Sequence, residues 1–401
     1  MRIRRGPATV TGERLPYGAT IAAAVGRLGG ASIREPGDSG RRIQRLRGVV
    51  TLGKAQPMIV PSWFRPALAR PALAQPVLSR PAWSRPGRAT GLLLGVVLDV
   101  VLADPHRAHP VAAFGTAAAH AEARLWSDSR TRGAGLLTVC VIPVALAGLA
   151  AQQLTRGHRG ATTAATALAS WTVLGGASLA AEALALGAAL DAGDLGAARR
   201  KLPALCGRDP DQLDAAGLAR AAVESVAENT SDAVVAPLLW GAVFGLPGLL
   251  GYRAVNTLDA MIGHHSPRYE RFGWAAARLD DAANLIPARV TGLLAVALAP
   301  AVGGQPRQAL RALRRDGGQH PSPNAGRCEA AFAGALGVRL GGRNSYQGRT
   351  EQRGLLGDGA PPAARDITRA VWLSRLVSGA ALLMAAAIAH GMHGVHGRRN
   401  A

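Results

Sequence analysis

Apolar runs that stop and restart decide what this chain can fold into. The first, residues 91–103 (GLLLGVVLDVVLA), is interrupted by Asp99 and closed by Asp104-Pro105. Further runs cover 134–151, 161–190, 233–251, 285–304 and 370–390. Several reach the roughly 20 residues a membrane-crossing helix needs. The first is too short alone, and Glu182 interrupts the third. None alternates apolar and polar residues as a barrel strand would. The expected fold class is therefore all-α: a polytopic helical membrane protein with four to six membrane segments. Its amphipathic helices and polar loops, at 104–133, 191–232, 252–284 and 305–369, are expected to carry the site. The chain is 48% apolar but only 4% aromatic, which suits helices packed through small residues.

Charge separates one end from the rest. Residues 1–88 hold 16 Lys/Arg against 3 Asp/Glu, and the remainder 30 against 22. The net +21 thus belongs largely to one tail and does not signal nucleic-acid binding. From Arg65 a five-residue repeat runs RPALA, RPALA, QPVLS, RPAWS, RPGRA. A proline every fifth residue blocks a regular helix, so 1–88 reads as a disordered Pro/Arg-rich extension without a secretory signal's arrangement. The helical membrane domain is expected over 89–393, and a short polar tail over 394–401. Cys140, Cys206 and Cys328 have no metal or redox spacing.

Chemistry concentrates in the polar loops. The stretch Leu218–Asp232 (LARAAVESVAENTSD), read as a helix, puts Arg220, Glu224, Glu228 and Asp232 at successive i, i+4 positions on one face. Two glutamates so placed repel each other and ask for a balancing cation, either an arginine or a metal. Beyond the run at 233–251, Arg253, Asn256 and Asp259 stand at i, i+3 steps. Then Arg278 and Asp281 pair at i, i+3, and Asp280 and Asn284 at i, i+4, before Pro287 and Arg289. Carboxylate and amide oxygens from short helices are typical hard-cation ligands, and Mg²⁺ commonly takes one or two carboxylates plus substrate phosphates. Helix capping and plain Arg–Asp pairing compete with that reading, most directly at Arg278–Asp281.

Other signals carry less. His264-His265 cannot face one way on a helix. HPSPNAG (320–326) is expected to be a turn, GGRNSYQGR (341–349) a glycine-rich loop, and no phosphate-binding GxxxxGK[ST] occurs.

Taken together, LDVVLADPHRAHPV (98–111), ESVAENTSDAVVAPLLW (224–240), YRAVNTLDAMIG (252–263), FGWAAARLDDAANLIPAR (272–289), SPNAG (322–326) and the LGVRLGG stretch with its following Tyr346 resemble the CobD/CbiB family. Its members are membrane-bound adenosylcobinamide-phosphate synthases of cobalamin biosynthesis. The resemblance covers about 91–390 and departs at Ala103, where the family usually has glycine, and at His264, usually tyrosine. It implies ATP-dependent ligation of a carboxylate of adenosylcobyric acid to (R)-1-aminopropan-2-ol or its O-phosphate, with Mg²⁺ and ATP and no prosthetic group. Glu224, Glu228, Asp232, Asp280 and Asp281 would then hold the metal or deprotonate the aminoalcohol, with Glu224, Glu228 and Asp280 as Mg²⁺ ligands. Asn229, Arg253, Asn256, Asp259, Asn284, Arg289, Asn324 and Tyr346 would bind substrate, the arginines on phosphate oxygens. The implied partners are the corrinoid, the aminoalcohol, membrane lipid and other pathway proteins or a partner subunit, in a multi-pass bacterial plasma-membrane protein.

Two other classes compete: an intramembrane Mg²⁺-dependent diphosphate transferase, of whose DxxxD repeats only a DDxxN is present, and a non-enzymatic AmpE-like sensor or transporter. Were every apolar run to span, the loops 191–232 and 252–284 would face opposite compartments. The run 233–251, with Pro237, Gly245, Pro247 and Gly248, is therefore expected to be re-entrant or otherwise non-spanning.

Overall fold

The structure is a computed structural model and describes residues 86–104, 109–264, 266–346 and 349–391. Almost all of the expected extension over 1–88, the tail over 394–401 and His265 lie outside the described residues. The helices are α1 (Pro86–Leu102), α2 (Pro110–Leu125), α3 (Arg130–Leu154), α4 (Arg159–Val173), α5 (Gly176–Asp191), α6 (Leu195–Lys201), α7 (Ala215–Thr230), α8 (Ala236–Phe244), α9 (Leu246–Leu258), α10 (Trp274–Leu298), α11 (Pro306–Asp316), α12 (Ala325–Leu336) and α13 (Ala364–Gly391). Strands β1 (Leu340–Tyr346) and β2 (Arg349–Leu356) form an antiparallel hairpin. The protein is a polytopic helical membrane protein. Four stretches are long and apolar enough to cross a bilayer: 130–154, 159–191, 274–302 and 364–391.

Small residues set the packing. On α1, Gly87, Gly91 and Gly95 lie against Arg159–Thr163, Thr163–Thr166 and Ala167–Ser170 of α4, so close that a side chain at Gly91 would collide with Thr166. The two helices run parallel in contact, a small-residue interface that needs no bulky knobs. The long helix α13 is the common support, packing on α1, α5, α7, α8 and α10. Around it α5, α7, α12 and the first half of α13 share one core containing Ala183, Leu218, Val223, Phe332, Leu340 and Ile367.

Helix directions follow from pairwise contacts. At one end of the bundle Arg88 donates to the carbonyl of Ala242 at 3.2 Å, and Gln152 accepts from the Leu246 N–H at 3.1 Å. At the other end Phe272 packs at Gly133, Asp99 accepts from the Ala177 N–H at 3.1 Å, and the Trp171 indole donates to Ala103 at 2.8 Å. Between these ends α8 and α9 form a hairpin. It leaves the site end at Val235, turns at Gly245 beside Arg88 and Gln152, and returns at Leu258. The expected re-entrant segment over 233–251 is thus two short helices, broken where Gly245 adopts φ +74°.

Two expectations change in detail. The glycine-rich loop at 341–349 is largely the β-hairpin, which adds a small sheet to an otherwise helical fold. Ala103, the departure from the family's usual glycine, is the one described non-glycine residue with positive φ, +53°. That region penalises a Cβ, so the backbone here keeps a shape glycine would take more easily.

Candidate active site

Asp214 starts the acidic helix by capping it: its carboxylate accepts from the Gly217 N–H at 2.7 Å. α7 then presents Arg220, Glu224 and Glu228 on one face, and each has a different fate. Glu224 is buried in an ion pair with the equally buried Arg208 from the loop after α6. It also accepts from the Gly341 N–H of β1 at 2.7 Å, with Arg220 4.0 Å away. Gly341 has φ +78°, a conformation open to glycine at little cost. Arg220, besides facing Glu224, donates to the carbonyls of Gly341 and Arg343 at 2.5 and 2.7 Å. Glu224 therefore straps a loop and a strand onto α7.

Past Thr230 the helix widens into a π-turn over Ser231–Val235. One extra residue per turn breaks the i, i+4 register, so Asp232 leaves the Glu224–Glu228 line and faces α10. A second π-turn, Asp259–Gly263, does the same for Asp259 after α9. Both turns pack against α10. There the Asp280 carboxylate accepts from Asn284 at 2.9 Å and Asn256 at 3.3 Å. Tyr252 locks the arrangement, its hydroxyl lying 2.9 Å from Asn284 Oδ1 and 3.1 Å from the Asp232 carbonyl. Arg253 is buried and reaches Asn256 Oδ1 at 3.4 Å.

Two neighbouring groups result. One joins Glu224 and Glu228 to Glu329 of α12, with Arg208, Arg353 and His320 about them. The other joins Asp232, Asp259, Asp280 and Asp281. Glu228 belongs to both, since its charge bears on Asp232 and Asp259 on one side and on Glu329 on the other. Burial pushes the Glu228 carboxyl up, opposed by Arg353 and Arg208. Burial also raises Asp232 well above the usual carboxylate range, and then Asp280, Glu228 and Asp259 raise it further. Asp259 is pushed to about 8 by burial first and the neighbouring Asp280 and Asp281 next. Like charges this close, under-supplied with arginine, want protons or a cation.

A stability consequence follows for Asp259. Its folded pKa lies above the ordinary aspartate value of about 4, so its protonated form favours the folded chain. That contribution is complete below pH about 4 and lost as pH climbs through about 8. Asp259→Asn should therefore unfold at higher temperature than wild type at pH 8.5, by up to a few kcal/mol at about 1.4 kcal/mol per pKa unit. The gap should close toward pH 5 in thermal unfolding of purified protein, and a gap independent of pH would refute the assignment.

The remaining sequence-derived residues are placed as follows. Asn229 is half-buried and its amide donates to the Ser225 carbonyl at 2.9 Å, within its own helix. Buried Asn324 donates to the Asp281 carbonyl at 2.7 Å and accepts from exposed Arg289 at 3.4 Å, which joins the 320–326 turn to α10. Arg278 is exposed. Tyr346 lies in β1, with its side chain outside the described residues. Glu224, Glu228 and Asp280, grouped as Mg²⁺ ligands, are instead divided between the two groups. Among the described residues no three His, Cys, Asp or Glu side chains converge as a metal cage.

Sequence reasoning missed Glu329, Arg208, Arg353, His320 and Tyr252. Glu329 is fully buried with His320 Nε2 3.8 Å away, and burial holds its carboxyl well up. The signal was present: one acid in the AGRCEAAFAGAL helix, apolar but for that acid and Arg327 near its start. His320 sits 2.8 Å from Arg353, and burial followed by that arginine lowers its pKa to about 4. It is a neutral imidazole at neutral pH.

Residues 92–374 match the family described as CobD/Cbib protein. The chain is 56% identical over 298 residues to the cobalamin biosynthesis protein CobD of Mycobacterium tuberculosis, covering 74% of this chain and 95% of that protein. It is 45% identical over 298 residues to the protein of that name from Geobacter metallireducens, at 73% and 93% coverage. For the one from Stutzerimonas stutzeri the figures are 43% over 300 residues, with 71% and 95% covered. No solved structure matches this chain. With one family match running from α1 into α13 and enclosing both acidic groups, the chain belongs to the CobD/CbiB family.

Proposed function

We propose that this chain acts in cobalamin biosynthesis as an amide-forming ligase, joining adenosylcobyric acid to (R)-1-aminopropan-2-ol or its O-phosphate at the expense of ATP. The observation that carries the reading is the Asp232–Asp259–Asp280 group, carboxylates crowded together beside the amides of Asn256 and Asn284 in a chain of this family. A carboxylate is a poor acyl electrophile. In the proposed course one corrinoid carboxylate oxygen attacks the ATP γ-phosphorus, ADP leaves, and an acyl phosphate forms. The free amine then attacks the acyl carbon, the amide bond forms, and inorganic phosphate departs.

The chain's own groups suit these steps. Asp259, with its pKa near 8, and Glu228 are placed to take the proton the ammonium must lose before it attacks. Exposed Arg289 is placed to meet phosphate oxygens. Asn229 and Asn256 are half-buried amides able to orient the many amides of a corrinoid. Glu224, tied to Arg208 and Gly341, positions α7.

Mg²⁺ fits the same place. Asp232 and Asp280 would supply hard oxygen donors, and Mg²⁺ needs only one or two carboxylates when substrate phosphates complete its shell. When bound it would neutralise charge on the transferred phosphoryl group. The protein is read as a multi-pass protein of the bacterial plasma membrane.

The test is product formation in membranes holding the full chain, given adenosylcobyric acid, Mg²⁺, ATP and either the aminoalcohol or its phosphate. Adenosylcobinamide or its phosphate by mass spectrometry, with ADP release, is expected. No amide product with either acceptor would overturn the ligase reading.

A further inference from the structure

The four apolar stretches suggest four crossings, yet the contacts of α10 speak against one of them. A crossing helix has its ends at opposite faces of the bundle. The first turns of α10 lie beside Gly263 and the Ile262–Gly273 contact, at the site end. At its other end, Arg369 of α13 donates to the Val302 carbonyl at 2.8 Å and to Leu336 at 2.9 Å. Arg369 is in the part of α13 remote from Ala385 and Ala389, which pack with Leu92 and Ala242 near the far end. Neither end of α10 approaches the Arg88–Gln152–Gly245 level. Its early turns run antiparallel beside the last turns of α9, through Asn256–Asp280 and Tyr252–Asn284, before its later part leaves for α11 and α12 at Gly292.

Exposed aliphatic side chains mark the layer itself, and those of α10, Leu285, Ile286 and Leu293, would rest at its face. Val97, Val100 and Val101 on α1 and Val139, Ile142 and Leu146 on α3 are exposed, and both helices run the depth between the two ends. With 17 residues α1 is about 25 Å long at 1.5 Å per residue, close to a bilayer's apolar thickness of about 30 Å. Exposed aliphatic side chains over that depth on two helices fit acyl chains as their partner.

We infer that the bilayer encloses only the layer between the Arg88–Gln152–Gly245 level and the Asp99–Gly133–Gly263 level. α1, α3, α4 and the later half of α13 cross it, the α8–α9 hairpin enters and returns, and α10 lies across its face. Every segment bearing the two acidic groups, 205–232, 259–289 and 320–353, then stands on one side of the membrane. The corrinoid and nucleotide reach them from one compartment. Pro86 and Gly391 emerge on the other side.

Cysteines introduced singly at Asp211, Glu270, Arg314 and His158, all exposed, test this in sealed vesicles of defined orientation. A membrane-impermeant maleimide should label 211, 270 and 314 from one side and 158 from the other, against the background of the native cysteines. In the unmodified chain, trypsin added on the first side should cut within both 199–220 and 307–353. Labelling of 314 from the side of 158, or any other partition, would overturn the inference, and α10 would then be a true span. Protection of 307–353 from trypsin on the side that cuts 199–220 would overturn it equally.

Discussion

Glu228→Gln should lower ligation turnover at least about a hundredfold while the helix bundle stays folded. Glu228 is the one residue shared by both acidic groups, half-buried between them. Unlike Glu224, it forms no ion pair among the described residues, so its charge is not committed to the fold. Glutamine keeps its size and hydrogen-bonding reach but removes the charge that a proton or cation needs, and a general base contributes about a hundredfold or more. Removing one repelling carboxylate from beside Asp232 and Glu329 should leave stability unchanged or slightly higher. The measurements are turnover of the purified variant at saturating Mg²⁺ and thermal unfolding in the same preparation. Turnover within a few-fold of wild type would return Glu228 to an ordinary polar surface and remove the proposed proton transfer.

How much of this could be read beforehand differs by level. The alternation of apolar runs fixed the helical membrane class, because desolvated backbone leaves few other choices. The loops bearing Glu228, Asp232, Asp259 and Asp280 were identifiable because acids beside apolar runs are costly. The re-entrant hairpin was legible from Pro237, Gly245 and Pro247, which interrupt a run otherwise long enough to span. The widened turns were not. A strict i, i+4 reading put Asp232 under Glu228, whereas the π-turn rotates it onto α10, and nothing in SDAVV announces an extra residue per turn. Glu224 also read as equal to Glu228, since only tertiary folding brings Arg208 and Gly341 to one and not the other. Glu329 needed the same information. It lay inside 305–369, read as a polar loop, and its proximity to α7 spans about a hundred residues of chain.

The contrast between Glu224 and Glu228 yields the largest expected effect on stability. Arg208 and Glu224 are 6% and 2% exposed, and one oxygen of Glu224 also holds the β1 backbone at Gly341. Arg208→Met leaves a buried carboxylate whose nearest remaining cation is Arg220, 4.0 Å off and already bonded to two carbonyls. Removing one partner of a buried pair costs about 3–5 kcal/mol, mostly for the charge left behind. The loss should lie at the lower end of that range, because Arg220 remains. The double variant Arg208→Met with Glu224→Gln removes the stranded charge but keeps the acceptor for the Gly341 N–H, and it should recover at least half of the loss. Thermal unfolding of wild type, both single variants and the double variant closes the cycle. If Glu224 itself held a cation or moved a proton in catalysis, Glu224→Gln would lose turnover as severely as Glu228→Gln at unchanged stability. The strap reading requires the reverse order: a clear change in unfolding temperature, with turnover in the surviving folded protein within about tenfold of wild type.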